Sequence, residues 1–148
     1  MKAQKMIKRL EKLKQIKNRL KDEAKIRVKD TKEREDVLKE RSESLGDSWG
    51  TNVNRFKARS ISGTFTPEEL WQLRSGIDSI EEEIRSIESA MEATRKELDL
   101  LQEDLIGKNK ETRLVEALLE VRKCEQRRER LSSEQKELDD MVCLKFVK

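Results

Sequence analysis

From Leu70 to Leu105 the apolar residues keep a heptad. Leu70, Ile77, Ile84, Met91, Leu98 and Leu105 hold one seam position, and Leu73, Ile80, Ile87 and Leu101 hold the other, with Thr94 the single interruption. Charged residues fill most places between them, so the stripe is too narrow to close a globular core and must lie against another helix. Just before it stands a helix start. Thr66 is placed to cap, Pro67 suits the first helical position, Glu69 completes a Thr-x-x-Glu capping box, and Phe65 and Leu70 stand where a hydrophobic staple forms.

A second, weaker pattern covers Met1 to about Leu45. Ala3, Met6, Leu10, Leu13, Leu20 and Ala24 keep a 3-4 spacing, and Leu38 and Leu45 fall in the same phase, while Lys17, Arg27, Arg34 and Arg41 take other seam positions. Ile7, Ile16, Val28 and Val37 flank this seam and widen it. Between Gly46 and Thr66 the periodicity stops, and Gly46, Gly50, Gly63 and several Asn, Asp and Ser residues read as breakers. Two partitions fit. Either the whole of 46–65 is a loop, or helix 1 is interrupted near Gly46 to Gly50, resumes to about residue 61 and turns at Ser62 to Thr64. Helix 2 then runs over about 66–146. Its soft point is Gly107 with Asn109, where Lys108, Thr112 and Arg122 take seam places, and Leu114, Leu118 and Val121 predict a change of phase.

One turn region between two periodic arms predicts an all-α fold, a single long two-helix antiparallel coiled-coil hairpin spanning 1–148. An unbroken helix 2 of about 80 residues is roughly 120 Å long at 1.5 Å per residue. Its last part should project past the N-terminus or join a partner. The basic run from Lys2 to Lys21 carries nine cations against one acid, Glu11. Folded back, it is expected beside the 90s to 110s of helix 2, near Glu97, Asp99, Glu103 and Asp104.

Composition agrees and narrows the function. Of 148 residues 44% are charged and 34% hydrophobic, with mean hydropathy −0.93, which disfavours a compact core. A net charge of only +3 and apolar residues held in phase argue for a coiled coil against disorder. There is no histidine and no tyrosine, so two residue types that often carry acid, base or metal chemistry are missing. The carboxylates of Glu81 to Glu83 read as a solvated face. Cys124 and Cys143 fall roughly 28 Å apart on one helix at 1.5 Å per residue, with no metal-binding spacing. We expect no enzyme, no cofactor and no metal. No run approaches the length of a membrane span, no signal peptide is present, and the chain reads as cytosolic.

Three features remain for partners. The cationic rod suits nucleic-acid phosphates, a protein surface, or simple solvation; without interleaved aromatics or a recognised motif, nucleic acid is the weakest of these. Trp71 sits one position beyond the seam, either exposed at an interface or packed under the loop with Trp49 or Phe56. The tail cluster of Leu138, Met141, Val142, Leu144, Phe146 and Val147 either frays or docks.

The stretch Arg9 to Val28 (RLEKLKQIKNRLKDEAKIRV), the glycine-bearing turn before a capped heptad helix, and the ending Glu134 to Phe146 (EQKELDDMVCLKF) resemble the flagellar type III export protein FliJ and its virulence-system relatives of the YscO type. The likeness covers most of the chain. It implies a non-enzymatic central stalk and adaptor of a protein-export ATPase, linking the ATPase ring to the export gate and binding export chaperones, cytoplasmic but peripheral to a membrane-embedded export apparatus. Carried onto this sequence, Lys5, Arg9, Lys12, Met141, Leu144 and Phe146 face the ATPase ring, while Trp71, Arg74 and Asp78 face the gate. The alternative is a generic coiled-coil scaffold, or a homodimer through an exposed seam after Leu118.

Overall fold

The computed structural model describes residues 2–146, with the backbone alone at Phe146. Among the described residues there are two helices, α1 (Lys2–Ser62) and α2 (Pro67–Phe146). They form two compact units, Ile26–Glu103 and the pair of segments Met1–Lys25 and Asp104–Lys148. Within each unit the helices run antiparallel, as the all-α hairpin requires.

The unit Ile26–Glu103 contains the turn. Thr66 caps α2: its Oγ1 accepts from Glu69 N at 3.3 Å and its carbonyl from Leu70 N at 3.3 Å. Pro67 is the first helical residue, where its missing N–H costs nothing. The capping box is made on one side. Glu69 turns its Oε2 toward Arg59 of α1, 3.7 Å away, so the acid joins the two arms. Gly63 closes α1 with φ +71°, a left-handed conformation that glycine adopts without a Cβ penalty.

The break expected at Gly46 to Gly50 is absent, and the connection is Gly63 to Thr66 alone. Each glycine costs about 1 kcal/mol in a helix interior, which is a tax on the helix and not a stop. Packing offsets it: Leu45 is buried, Val53 and Phe56 are half-buried, and Trp49 Nε1 donates to Glu81 Oε1 of α2 at 3.2 Å.

Across this unit the α2 heptad holds as the sequence predicts, with Ile77 and Leu98 buried and its other members half-buried. The α1 face is rotated from the expected one. Val28 is core, whereas Arg27, Arg34 and Arg41 stand outside the seam and reach along it. Arg34 Nη2 lies 3.1 Å from Glu97 Oε1, and Arg41 Nη2 lies 3.5 Å from Glu83 Oε2. The column those arginines were expected to share with the core is therefore a flank, and Val28, Glu35 and Ser42 take the place beside Thr31, Leu38 and Leu45. Thr31 is 1% exposed, and its hydroxyl is satisfied by Arg27 O at 2.8 Å, four residues back.

The other unit pairs the start of α1 with the end of α2. Ile7 and Ala24 are buried, while Met6 and Leu13 remain exposed, the same one-position rotation. On α2 no change of phase occurs after Gly107. Thr112, Val115 and Leu119 continue the Leu70 heptad and are 1%, 6% and 5% exposed, while Leu114, Leu118 and Val121 lie outside. Thr112 Oγ1 donates to its own Lys108 O at 2.9 Å, so its burial leaves no orphan. Lys17 Nζ reaches Glu111 Oε2 at 2.8 Å and Lys123 Nζ reaches Glu11 Oε1 at 3.7 Å. The basic end of α1 thus lies against the 110s, the far part of the stretch expected for it, and on into the 120s, because the connection follows Ser62.

Candidate partner-binding ends

The turn-containing unit presents Trp71, Arg74 and Asp78 at helical spacings i, i+3 and i+7, one exposed face of α2. Trp71 is 71% exposed, which excludes packing under a loop with Trp49 or Phe56. Arg74 Nε and Asp78 Oδ1 are 3.4 Å apart, an exposed pair that contributes at most about 1 kcal/mol. In the same unit Ile61 and Phe65 are exposed around the turn. Phe65 stands at a staple position in the sequence, and Ile61, a bulky residue two positions before the turn glycine, has no second helix left to cover it. Exposed apolar side chains on both sides of one short connection, Ile61 before it and Phe65 within it, are suited to protein contact.

The terminal unit presents two separate surfaces. Lys5, Arg9 and Lys12 lie at i, i+4 and i+7 on the outer face of α1, all exposed. Met141 and Leu144 lie on α2 at 63% and 71% exposure. The two groups are not brought together. Lys2, Ala3 and Met6 line a groove with Arg122, Gln126 and Glu129, which sets the level at which α1 begins. Met141 is 12 residues past Glu129, or about 18 Å farther along the axis. The Phe146 side chain and Val147 lie outside the described residues.

Beyond Glu129 every described side chain of α2 is exposed, including Leu131, Leu138, Met141, Val142 and Leu144. This is the projecting arm that the unequal helix lengths predict. A helix of that kind keeps its hydrogen bonds but buries nothing, so its apolar groups are available to whatever covers them.

Among the described residues, Trp49, Glu81, Ile84, Arg85 and Glu88 line a shallow depression on the helix faces. Among the described residues no group of acids and cysteines is placed to hold a metal, and no helix is long and apolar enough to cross a membrane. At Lys39 the hydrogen bond to Glu35 and the attraction of that carboxylate hold the pKa above the ordinary lysine value, against desolvation. That is a surface pair and has no catalytic bearing.

A scan of protein families matches residues 6–148 to the family described as flagellar FliJ protein. No individually curated protein and no solved structure matches the chain.

Proposed function

This chain belongs to the FliJ family, and from that premise we propose that it is the central coiled-coil stalk and adaptor of a protein-export ATPase in the flagellar export apparatus. In this reading it acts without catalysis. The terminal unit enters the ATPase ring, the turn contacts the export gate, and export chaperones bind along the outer faces. It works in the cytoplasm, peripheral to the membrane-embedded apparatus.

The observation that carries the reading is the projecting end of α2. A shaft held in a ring needs a terminus that is helical, unpartnered and chemically mixed, and residues 130–145 supply that with Leu131, Leu138 and Met141 among acids and bases. Lys5, Arg9 and Lys12 add a cationic face below it that acidic groups of a ring would attract, with association that weakens as salt rises. In the turn-containing unit, Trp71 with Arg74 and Asp78 offers an aromatic anchor rimmed by charge, the usual composition of a contact hot spot.

The test is direct. Added to its cognate export ATPase, the chain should promote ring assembly and raise ATP turnover, and charge reversal at Lys5, Arg9 and Lys12 should weaken both. Unchanged oligomerisation and turnover, with no co-purification of the two proteins, would overturn the stalk assignment.

A further inference from the structure

From Thr112 onward α2 carries two heptads on opposite faces. The first, Thr112, Val115 and Leu119, is buried against α1. Two positions on, Leu114, Val121 and Val142 form one column and Ala117, Leu131 and Leu138 the other. A step of two residues turns about 200° around a helix, so this second stripe looks directly away from α1. Its large members are 50% to 65% exposed. It extends for about four heptads, the length at which a two-stranded coil sustains itself. Over its second half, from residue 130, α1 is not beside α2 at all.

We infer that this outer stripe pairs with the same stripe of a second copy of the chain, antiparallel, with Arg127 of each copy facing Glu134 of the other. The charges choose the orientation. A parallel pair would set Glu120 against Glu125, Glu134 against Asp139, and Arg128 against Arg128 in the core, all repulsive. Antiparallel, the register that places Leu138 on Val121 and Val142 on Ala117 brings Arg127 to Glu134 twice by symmetry. Sliding one heptad sets Arg127 on Arg127, and sliding one heptad the other way sets Glu134 on Glu134. Sliding by two in the direction that keeps the longer overlap leaves Leu138 facing Gly107 and Val142 facing Glu103. In the single chain Arg127 leans on Glu120 at 3.3 Å and on Cys124 Sγ at 3.4 Å, already lying along the edge of the stripe.

Self-pairing covers Leu131 and Leu138 on the projecting arm. The pairing itself is independent of the stalk reading. Its consequence rests on that reading: a paired copy has its ring-facing arm occupied and is withheld from the ATPase.

Light scattering on the full chain across the micromolar range should show a mass rising from 17.5 kDa toward twice that value. Leu131→Glu with Leu138→Glu should stay monomeric with unchanged helicity by circular dichroism, because both residues are exposed in the single chain. Arg127→Glu alone and Glu134→Arg alone should each weaken association about tenfold, and the double swap should restore it. With Cys143→Ser as background, Gln135→Cys should cross-link on mild oxidation to Cys124 of the second copy, while the background protein, whose Cys124 residues stand about 16 Å apart along the axis, should not. A chain that remains monomeric throughout overturns the inference. So does a dimer that survives the two leucine substitutions, or one that cross-links through Cys124 to Cys124. Because the readout is mass and cross-linking, none of these results depends on whether the ATPase responds.

Discussion

Arg34 of α1 holds Glu97 of α2 at 3.1 Å, and the same guanidinium nitrogen donates to the buried Thr31 hydroxyl at 3.1 Å. One side chain therefore ties a flank charge to a polar layer in the seam. Both partners of the Thr31 hydroxyl, Arg27 O and Arg34, belong to α1, so the register information lies in the reach of Arg34 across to Glu97, which a slipped helix would lose.

Charge exchange tests this. Arg34→Glu and Glu97→Arg should each lower stability by about 1 kcal/mol in urea denaturation, and the pair together should recover most of the loss. An absence of recovery would mean that Arg34 acts through Thr31 alone.

The unbroken seam past Gly107 makes a sharper contrast between neighbours. Leu119→Ala should cost about 2 to 4 kcal/mol by chemical denaturation, whereas Leu118→Ala should stay within about 0.5 kcal/mol, because only the first empties a packed site. A shift of phase would reverse that order.

The glycines divide by backbone conformation. Gly46→Ala and Gly50→Ala meet nothing within 4 Å and should each stabilise the protein by about 0.5 to 1 kcal/mol. Gly63→Ala should destabilise by about 1 kcal/mol, since a side chain at φ +71° is strained even in open space. Thermal melting of the three variants reads both signs.

Lys39 supplies a pH dependence. Glu35, 2.9 Å from its ammonium, raises its pKa above the ordinary 10.5, first through the hydrogen bond and then through charge attraction. A raised value in the folded state gives stabilisation that is complete below 10.5 and lost as pH climbs through the raised value. The Tm difference between wild type and Lys39→Gln should thus be constant through neutral pH and close at strongly alkaline pH.

How far the sequence speaks depends on which helix is read. In α2 between Leu70 and Leu105 the seam residues are large and apolar, so periodicity alone identifies the buried face, and Thr66 and Pro67 mark its start. In α1 the core column beside Leu10, Ala24 and Leu38 contains Lys14, Lys21, Glu35 and Ser42, while the flanking column begins Met6, Leu13, Leu20. Counting apolar residues picks the flank. Only the partner helix, which leaves the lysine stems half-covered, fixes the face one residue over. The same cause hid Val115 and Leu119: extending the Leu70 heptad by sevens reaches both, but Leu114, Leu118 and Val121 form an equally good stripe, and one chain cannot say which is turned inward. At Gly46 and Gly50 local propensity points to a break, and the packing of Leu45, Trp49 and Phe56 overrides it. The candidate ends were legible as surplus, an extra tryptophan and an extra length of helix, though their division into separate patches was not.

The arm beyond Glu129 also has a dynamic signature. The paired part of α2 has already met the cost of helix nucleation, so the arm needs only propagation, worth little per residue. Its amides should therefore exchange with solvent deuterium quickly, fastest at the free end and slowing toward the pair, while those of Thr112 to Leu119 exchange only on wider opening. Whatever covers the arm will show itself as slowed exchange over these residues, so its protection measures occupancy before the occupant is known.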